Sequence, residues 1–150
     1  MVTLSWIDLY YLSQEFNSQL KGAKVENWYG NHEELHIKLY KSGQKNLFLS
    51  TFLSKGIILI NNAKYQHNAK NIFIQYLRKI LKNATLENIY SHFKERVISL
   101  ELSTKNRETQ QIELYYLHIE LFMGGQIIIC NSSQEVLRTL KTTQHITPNK

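Results

Sequence analysis

Apolar residues recur along this chain with two periods, one helical and one alternating. Between Leu4 and Leu20, the residues Leu9, Leu12, Phe16 and Leu20 keep the spacing of a helix face, Ser5 can cap the start and Gly22 ends it. Between Lys70 and Lys82 the pattern returns more strongly. At about 100° per residue, Phe73, Leu77, Ile80 and Leu81 share one side, with Ile72, Ile74 and Tyr76 at its margins. Asn71, Gln75, Arg78, Lys79 and Lys82 fall on the other side. Asn68 or Asn71 suits the N-terminal cap and Asn83 the C-terminal stop.

The remaining apolar residues alternate with polar ones, or form short runs bounded by turn residues. Lys24–Tyr29, Leu35–Tyr40, Asn46–Ser50 and Ile57–Ile60 read as strands ahead of the second helix. Leu86–Tyr90, Val97–Leu102, Ile112–Leu121 and Gln126–Asn131 follow it, with Val136–Leu140 as a short last strand. Gly30-Asn31, Ser42-Gly43 and Gly124-Gly125 supply the turns. The unbroken apolar run Ile57–Ile60 predicts a strand buried on both faces. The order is helix, four strands, helix, four or five strands. Neither strand set covers itself, so the predicted class is α+β: a β-sandwich or barrel of about eight strands flanked by two helices.

Length and composition sharpen this picture only slightly. A chain of 150 residues is expected to be a single domain over 1–150, with 143–150 as a frayed tail. Cys130 is the sole cysteine and sits in an apolar run, which favours a buried, unreactive thiol. No charged leader with an apolar core is visible, nor any apolar stretch of membrane-spanning length, so the expected location is cytoplasmic.

Charge changes the picture more. Eighteen Lys and Arg against twelve Asp and Glu leave a net charge of +6, which favours an anionic partner. The excess is uneven. Residues 64–96 hold seven cations (Lys64, Lys70, Arg78, Lys79, Lys82, Lys94, Arg96) against Glu87 and Glu95, whereas 111–137 hold only Glu113, Glu120 and Glu135.

A search for catalytic chemistry ends without a set. His32 and His36 are four apart on a turn-plus-strand segment, where that spacing does not converge on one ion, so neither metal nor cofactor is expected. Phosphate-cradling loops, nucleophile elbows and dinucleotide fingerprints are missing. Glu95 and Glu101 belong to a turn and to a solvent-facing strand position, which does not make an acid–base pair. Aromatic and basic residues do interleave, from Tyr65 through Lys70, Tyr76, Arg78, Lys79, Lys82, Tyr90 and Lys94 to Arg96. Cations neutralise phosphates and exposed rings stack on unpaired bases, so composition alone points to a binding module for an anionic partner.

Three patches, in order across nearly the whole chain, resemble the N-terminal NFACT domain of the ribosome-associated quality-control proteins, the group that includes bacterial RqcH and eukaryotic NEMF. The first runs from Ile7-Asp8-Leu9 through Leu20-Lys21-Gly22-Ala23-Lys24-Val25 to Trp28-Tyr29. The second is Leu77-Arg78-Lys79-Ile80-Leu81, followed by Glu95-Arg96-Val97-Ile98 in the place of the family's Asp-Arg-Ile/Val. The third is His118-Ile119-Glu120-Leu121-Phe122-Met123-Gly124-Gly125-Gln126-Ile127-Ile128, similar to the family's Glu-Leu-Phe/Met-x-Arg-Gly-Asn-Ile/Val-Ile hairpin. Glu95 replaces the usual Asp, Gly124 the Arg and Gln126 the Asn.

The resemblance implies a non-catalytic module that binds tRNA and the large ribosomal subunit during quality control of stalled nascent chains. Residue by residue it carries tRNA engagement to Asp8, Glu95 and Arg96; Arg78, Lys79 and Lys82 would add sequence-independent attraction for phosphates. It also implies a fold similar to the N-terminal domain of formamidopyrimidine-DNA glycosylases. Those enzymes attack with an N-terminal proline, and Met1-Val2-Thr3 offers none, so no glycosylase activity is expected. The family's further regions are expected on a separate polypeptide. The competing expectations are a DNA-lesion-binding protein on the glycosylase-like fold, and a protein-interaction scaffold built on Ile112–Asn131.

Overall fold

A computed structural model describes residues 4–63, 65 and 71–142 of the chain, the side chains at 45 and 46 aside. The possible cap Asn68, the cations Lys64 and Lys70 and the expected tail at 143–150 lie outside the described residues. Helix α1 spans Trp6–Leu20. Four strands follow: β1 (Lys24–Gly30), β2 (Glu34–Lys41), β3 (Gln44–Phe52) and β4 (Ile57–Asn61). Helix α2 spans Ile72–Ile80, and β5 (Thr85–His92), β6 (Glu95–Lys105), β7 (Ile112–Glu120), β8 (Gln126–Cys130) and β9 (Val136–Thr139) complete the chain.

Local chemistry sets the helix limits. Asp8 N–H donates to Ser5 Oγ at 3.1 Å, and Ser5 N–H donates to Asp8 Oδ2 at 2.9 Å, so two orphan donors of the first turn are satisfied reciprocally. Asn71 Oδ1 accepts from Ile74 N–H at 3.1 Å and opens α2. Asn83, with φ +59°, turns the chain out of it. Phe73, Ile74, Leu77 and Leu81 are buried, as the apolar face requires, while Ile72 is exposed.

The strands form one antiparallel sheet in the order β4-β3-β2-β1-β5-β6-β7-β8-β9. A sandwich of two layers is therefore made from a single sheet rather than two. Its halves meet at a narrow seam, where β1 and β5 share only the pair Lys24–Thr85. Three backbone hydrogen bonds close this seam: Gly22 N–H to Leu86 O, Val25 N–H to Ala84 O and Leu86 N–H to Ala23 O, at 2.7–2.9 Å. Beyond it the halves splay and fold over one another. A Cβ on Gly125 would stand 2.7 Å from Leu53, and Lys141 reaches Glu33 at 3.3 Å, so the β7–β8 turn and the end of β9 lie against the loops of the first half.

Inward positions of both halves join one core, including Leu35, Ile37, Leu39, Leu49, Ile98, Leu100, Leu102, Leu117, Ile119, Ile127 and Ile129. Each such side chain contributes about 1.5–3 kcal/mol of burial. The helices close the open sides. Helix α1 packs on β5 and β6, and its Leu12 and Phe16 share a recess with Ile58, Leu59 and Ile60 of β4. Helix α2 packs on β1, and its Tyr76 ring lies 4.8 Å from the guanidinium of Arg138 in β9.

One strand expectation is corrected. The run Ile57–Ile60 is an edge strand and not one buried on both faces, with only Ile58 fully covered. Its apolar residues serve α1 on one side, which is why the run is unbroken.

Candidate nucleic-acid interface

Strand β6 is the axis along which the expected site residues are distributed. Ile98, Leu100 and Leu102 point into the core, so Arg96 shares their face and Glu95 shares the opposite face with Val97 and Ser99. The turn itself is Phe93-Lys94, and Glu95 and Arg96 are the first two residues of the strand. The expected acid–arginine pair is thus divided by the sheet. Among the described residues no ion pair joins Arg96 to Glu95 or Asp8.

Arg96 is half-buried at the edge of the core. Its Nε is fully covered and has no hydrogen-bond partner among the described residues. Its Nη2 lies 3.4 Å from the point where a Cβ on Gly56 would stand, and Leu121 N–H donates to its carbonyl at 2.8 Å. Gly56 has φ +63°, and its missing side chain leaves the guanidinium room. A half-buried guanidinium with no carboxylate in ion-pair range among the described residues is suited to take an anion through its terminal nitrogens.

Asp8 lies at the same end of the molecule, because Trp6 of α1 meets Phe93 edge-on at 5.1 Å between centroids. Its carboxylate is engaged by Ser5, whose backbone N–H, and secondarily its hydroxyl, hold the carboxyl below its ordinary range. Beside it, Trp6, Ile7, Tyr10, Tyr11 and Phe93 line a recess of about 650 Å³ between α1 and β5. Tyr11 is 64% exposed and Phe93 76% exposed, so planar groups are available here for stacking.

Of the tyrosines singled out by sequence, Tyr65 stacks on buried His36 at 3.6 Å and Tyr76 faces Arg138, whereas Tyr90 lines this recess. Further exposed rings lie on the rim of α1, which an amphipathic reading of Leu4–Leu20 leaves as mere solvent face.

The α2 cations do not share this end. Arg78 turns back onto β1, where its Nε donates to the Trp28 carbonyl at 2.8 Å and its guanidinium lies 5.4 Å from the Tyr29 ring centre. Lys79 and Lys82 are exposed. Lys82 lines a recess with Asn83, Lys105, Arg107 and Gln110, at the far end of β6. Nine residue steps along β6 separate Arg96 from Lys105, roughly 30 Å. The six expected residues therefore make two groups, Asp8, Glu95 and Arg96 at one end and Lys82 at the other, with Arg78 and Lys79 on α2 nearer the latter.

On the outer face of β5–β7, Ser99 Oγ stands 2.6 Å from both His92 Nε2 and His118 Nδ1, and His118 Nε2 is 3.0 Å from Gln134 Oε1. Burial, reinforced by His118, lowers the His92 pKa, with Glu95 opposing. Burial also raises Glu120. Asn88 and the Tyr116 hydroxyl both donate to Glu101, at 2.8 and 3.0 Å. Cys130 is buried, and burial raises its thiol pKa, as expected of an unreactive cysteine. Among the described residues no cluster of His, Cys, Asp and Glu could hold a metal, and no helix is long and apolar enough to cross a membrane.

Comparison with known proteins bears on this arrangement. The family described as NFACT N-terminal and middle domains matches residues 5–148. The archaeal Rqc2 homolog aRqcH of Methanocaldococcus jannaschii is 28% identical over 129 residues, covering 86% of this chain and 18% of that protein. The Rqc2 homolog RqcH of Streptococcus pneumoniae is 26% identical over 139 residues, covering 89% of this chain and 25% of that one. The chain thus spans a quarter or less of the length of these curated relatives. The N-terminal domain of the fibronectin-binding protein PavA of Streptococcus pneumoniae has the same fold, with a TM-score of 0.83 at 22% identity over 97% of this chain and 57% of that one. The N-terminal part of the fibronectin/fibrinogen-binding protein of Streptococcus suis gives a TM-score of 0.84 at 18% identity, again over 97% and 57%.

Proposed function

We propose, from the premise that the chain belongs to the NFACT N-terminal family, that it is a non-catalytic module binding tRNA and the large ribosomal subunit in ribosome-associated quality control. The curated relatives are Rqc2 and RqcH homologues, which supports a role in that process. One observation carries the tRNA reading: Arg96 presents a half-buried guanidinium that, among the described residues, has no carboxylate in ion-pair range. It stands at the end of the molecule where Tyr10, Tyr11 and Phe93 are exposed. A phosphate or base edge would answer the guanidinium, and the rings would take an unpaired base.

In this reading Asp8 and Glu95 act separately from Arg96. Asp8 fixes the α1 terminus that carries the rings. Glu95, on the other face, is an acceptor for exocyclic amines or ribose hydroxyls of RNA wrapping past the β5–β6 turn. The module works in the cytoplasm, in association with the large ribosomal subunit. Co-purification of the tagged chain with ribosomal components tests that association.

The deciding experiment is tRNA binding measured by fluorescence anisotropy at several salt concentrations. Arg96→Ala should weaken binding by about 1–3 kcal/mol, roughly fivefold or more. Equal affinity of Arg96→Ala and the unmodified protein would remove the reading.

A further inference from the structure

Among the described residues, cations outnumber acids at the end of the sheet away from Arg96. There β1, β5 and β7 begin, β6 ends, and both helices finish. Lys21, Lys24, Lys41, Lys82, Lys105 and Arg107 occupy this end, against Glu87, Glu108, Glu113 and Glu135. At the other end, Lys55, Lys94, Arg96 and Lys141 are outnumbered by Asp8, Glu33, Glu34, Glu95 and Glu120.

We infer that the recess of about 440 Å³ between the α2–β5 turn and the β6–β7 hairpin is a second contact for RNA, taking backbone phosphates. Lys82, Lys105 and Arg107 line it with the amides of Asn83 and Gln110, and no carboxylate does. Among the described residues none of the three cations forms an ion pair, so their charge faces solvent uncompensated. Glu108 and Glu113 lie on the same hairpin outside the lining and reduce the local surplus without cancelling it.

The hairpin holds its shape through its own bonds. Asn106 Oδ1 accepts from Glu108 N–H at 2.9 Å and from Thr109 N–H at 3.2 Å. Asn106 N–H and Gln110 N–H close the turn at 2.8 and 2.7 Å. Arg107 is thereby presented on a braced loop beside Lys105.

The lining decides the ligand class. It offers cations and amide donors but no aromatic ring and no buried apolar wall, so it suits phosphate and ribose oxygens and not a base. The contact is accordingly independent of sequence and sensitive to salt. It lies roughly 30 Å from Arg96, several times the Debye length of about 8 Å at physiological ionic strength, so each site acts without the field of the other. An RNA that touches both must span roughly 30 Å, which a tRNA does. This inference rests on the tRNA reading above and adds where the rest of that RNA lies.

The test uses bulk tRNA and anisotropy over a salt series with the unmodified chain, the triple variant Lys82→Gln/Lys105→Gln/Arg107→Gln, Arg96→Ala, and Lys38→Gln as a control on β2. All three substituted recess residues are exposed, and thermal melts verify that the fold is kept. The expected result is about tenfold weaker binding by the triple variant, with a log–log salt slope shallower by about two to three. Lys38→Gln should change either quantity far less. A triple variant that binds as Lys38→Gln does, while Arg96→Ala weakens binding, overturns the recess and leaves the tRNA reading standing. No binding of tRNA by the unmodified chain overturns both.

Discussion

Glu95 and Arg96 are neighbours in the chain, yet they leave β6 on opposite faces of the sheet, Arg96 toward the core edge beside Gly56 and Glu95 outward. Their contributions to any ligand should therefore be separable. In a double-mutant cycle, Glu95→Ala and Arg96→Ala are expected to add to within about 0.5 kcal/mol in tRNA affinity. A larger coupling would mean that the two side chains meet in the complex.

Arg96 also allows affinity to be divorced from stability. Its covered Nε has no hydrogen-bond partner among the described residues, which costs the folded state free energy. Arg96→Met keeps the volume and removes the orphan donor, so denaturant unfolding should find it neutral to more stable by about 1 kcal/mol, with tRNA binding lost. Marked destabilisation would show that Arg96 holds the loops together.

Gly56→Ala should lower stability and leave tRNA affinity nearly unchanged. The site has φ +63°, which strains any side chain, while the new Cβ would meet the Arg96 guanidinium only at an ordinary contact distance of 3.4 Å. The conformational cost alone is about 1–2 kcal/mol. Urea unfolding and tRNA anisotropy on one preparation check the pair of effects.

Arg78 and Lys79 are adjacent cations with different expected behaviour. Arg78→Ala abandons the Trp28 carbonyl and the Tyr29 ring, and should cost about 1–2 kcal/mol of stability with little change in the salt dependence of binding. Lys79→Ala, on an exposed side chain, should leave stability within about 0.5 kcal/mol.

Stability should plateau across neutral pH and fall on both sides. Burial raises the hydroxyl pKa values of Tyr90 and Tyr115, and the bond to Glu101 raises that of Tyr116. The unfolded chain releases these protons from about pH 10.0, before the folded one, so stability is lost as pH rises above that value. His92 acts at the acid side: its lowered pKa means the unfolded chain binds a proton first, and stability falls as pH drops below about 6.5. Glu120, raised by burial, opposes that loss between its folded pKa and 4.5. Thermal melts across this range, with tyrosinate absorbance on the alkaline side, measure the two limbs.

Much of the architecture was legible because its periods are local. The apolar spacing in α1 and α2 and the alternation in the strands follow from which face is buried, and the Ser5 and Asn71 caps follow from residue type. The layout of the candidate site was less so. Lys82 and Glu95 are close in sequence, but β5 carries the chain across the molecule between them. The eleven residues of β6 then carry it back, to Lys105 and Arg107, whose place beside Lys82 no local pattern reveals. The division of Glu95 from Arg96 was available from the strand period of two. The family motif treats them as a unit and hides it. The fate of Ile57–Ile60 depends on sheet order, which composition does not encode.

The lone Lys24–Thr85 pair leaves each half-sheet with a bare margin, and each helix mends one point on it. Asn17 of α1 accepts the Ile89 N–H at 2.8 Å, and Arg78 of α2 donates to the Trp28 carbonyl, so side chains do there what a ladder of strand pairing does elsewhere. The molecule accordingly has a built-in fault line. Removing either mending side chain should let the halves breathe along it well below the global unfolding free energy, and loss of Asn17 should show first as faster amide exchange at Ile89.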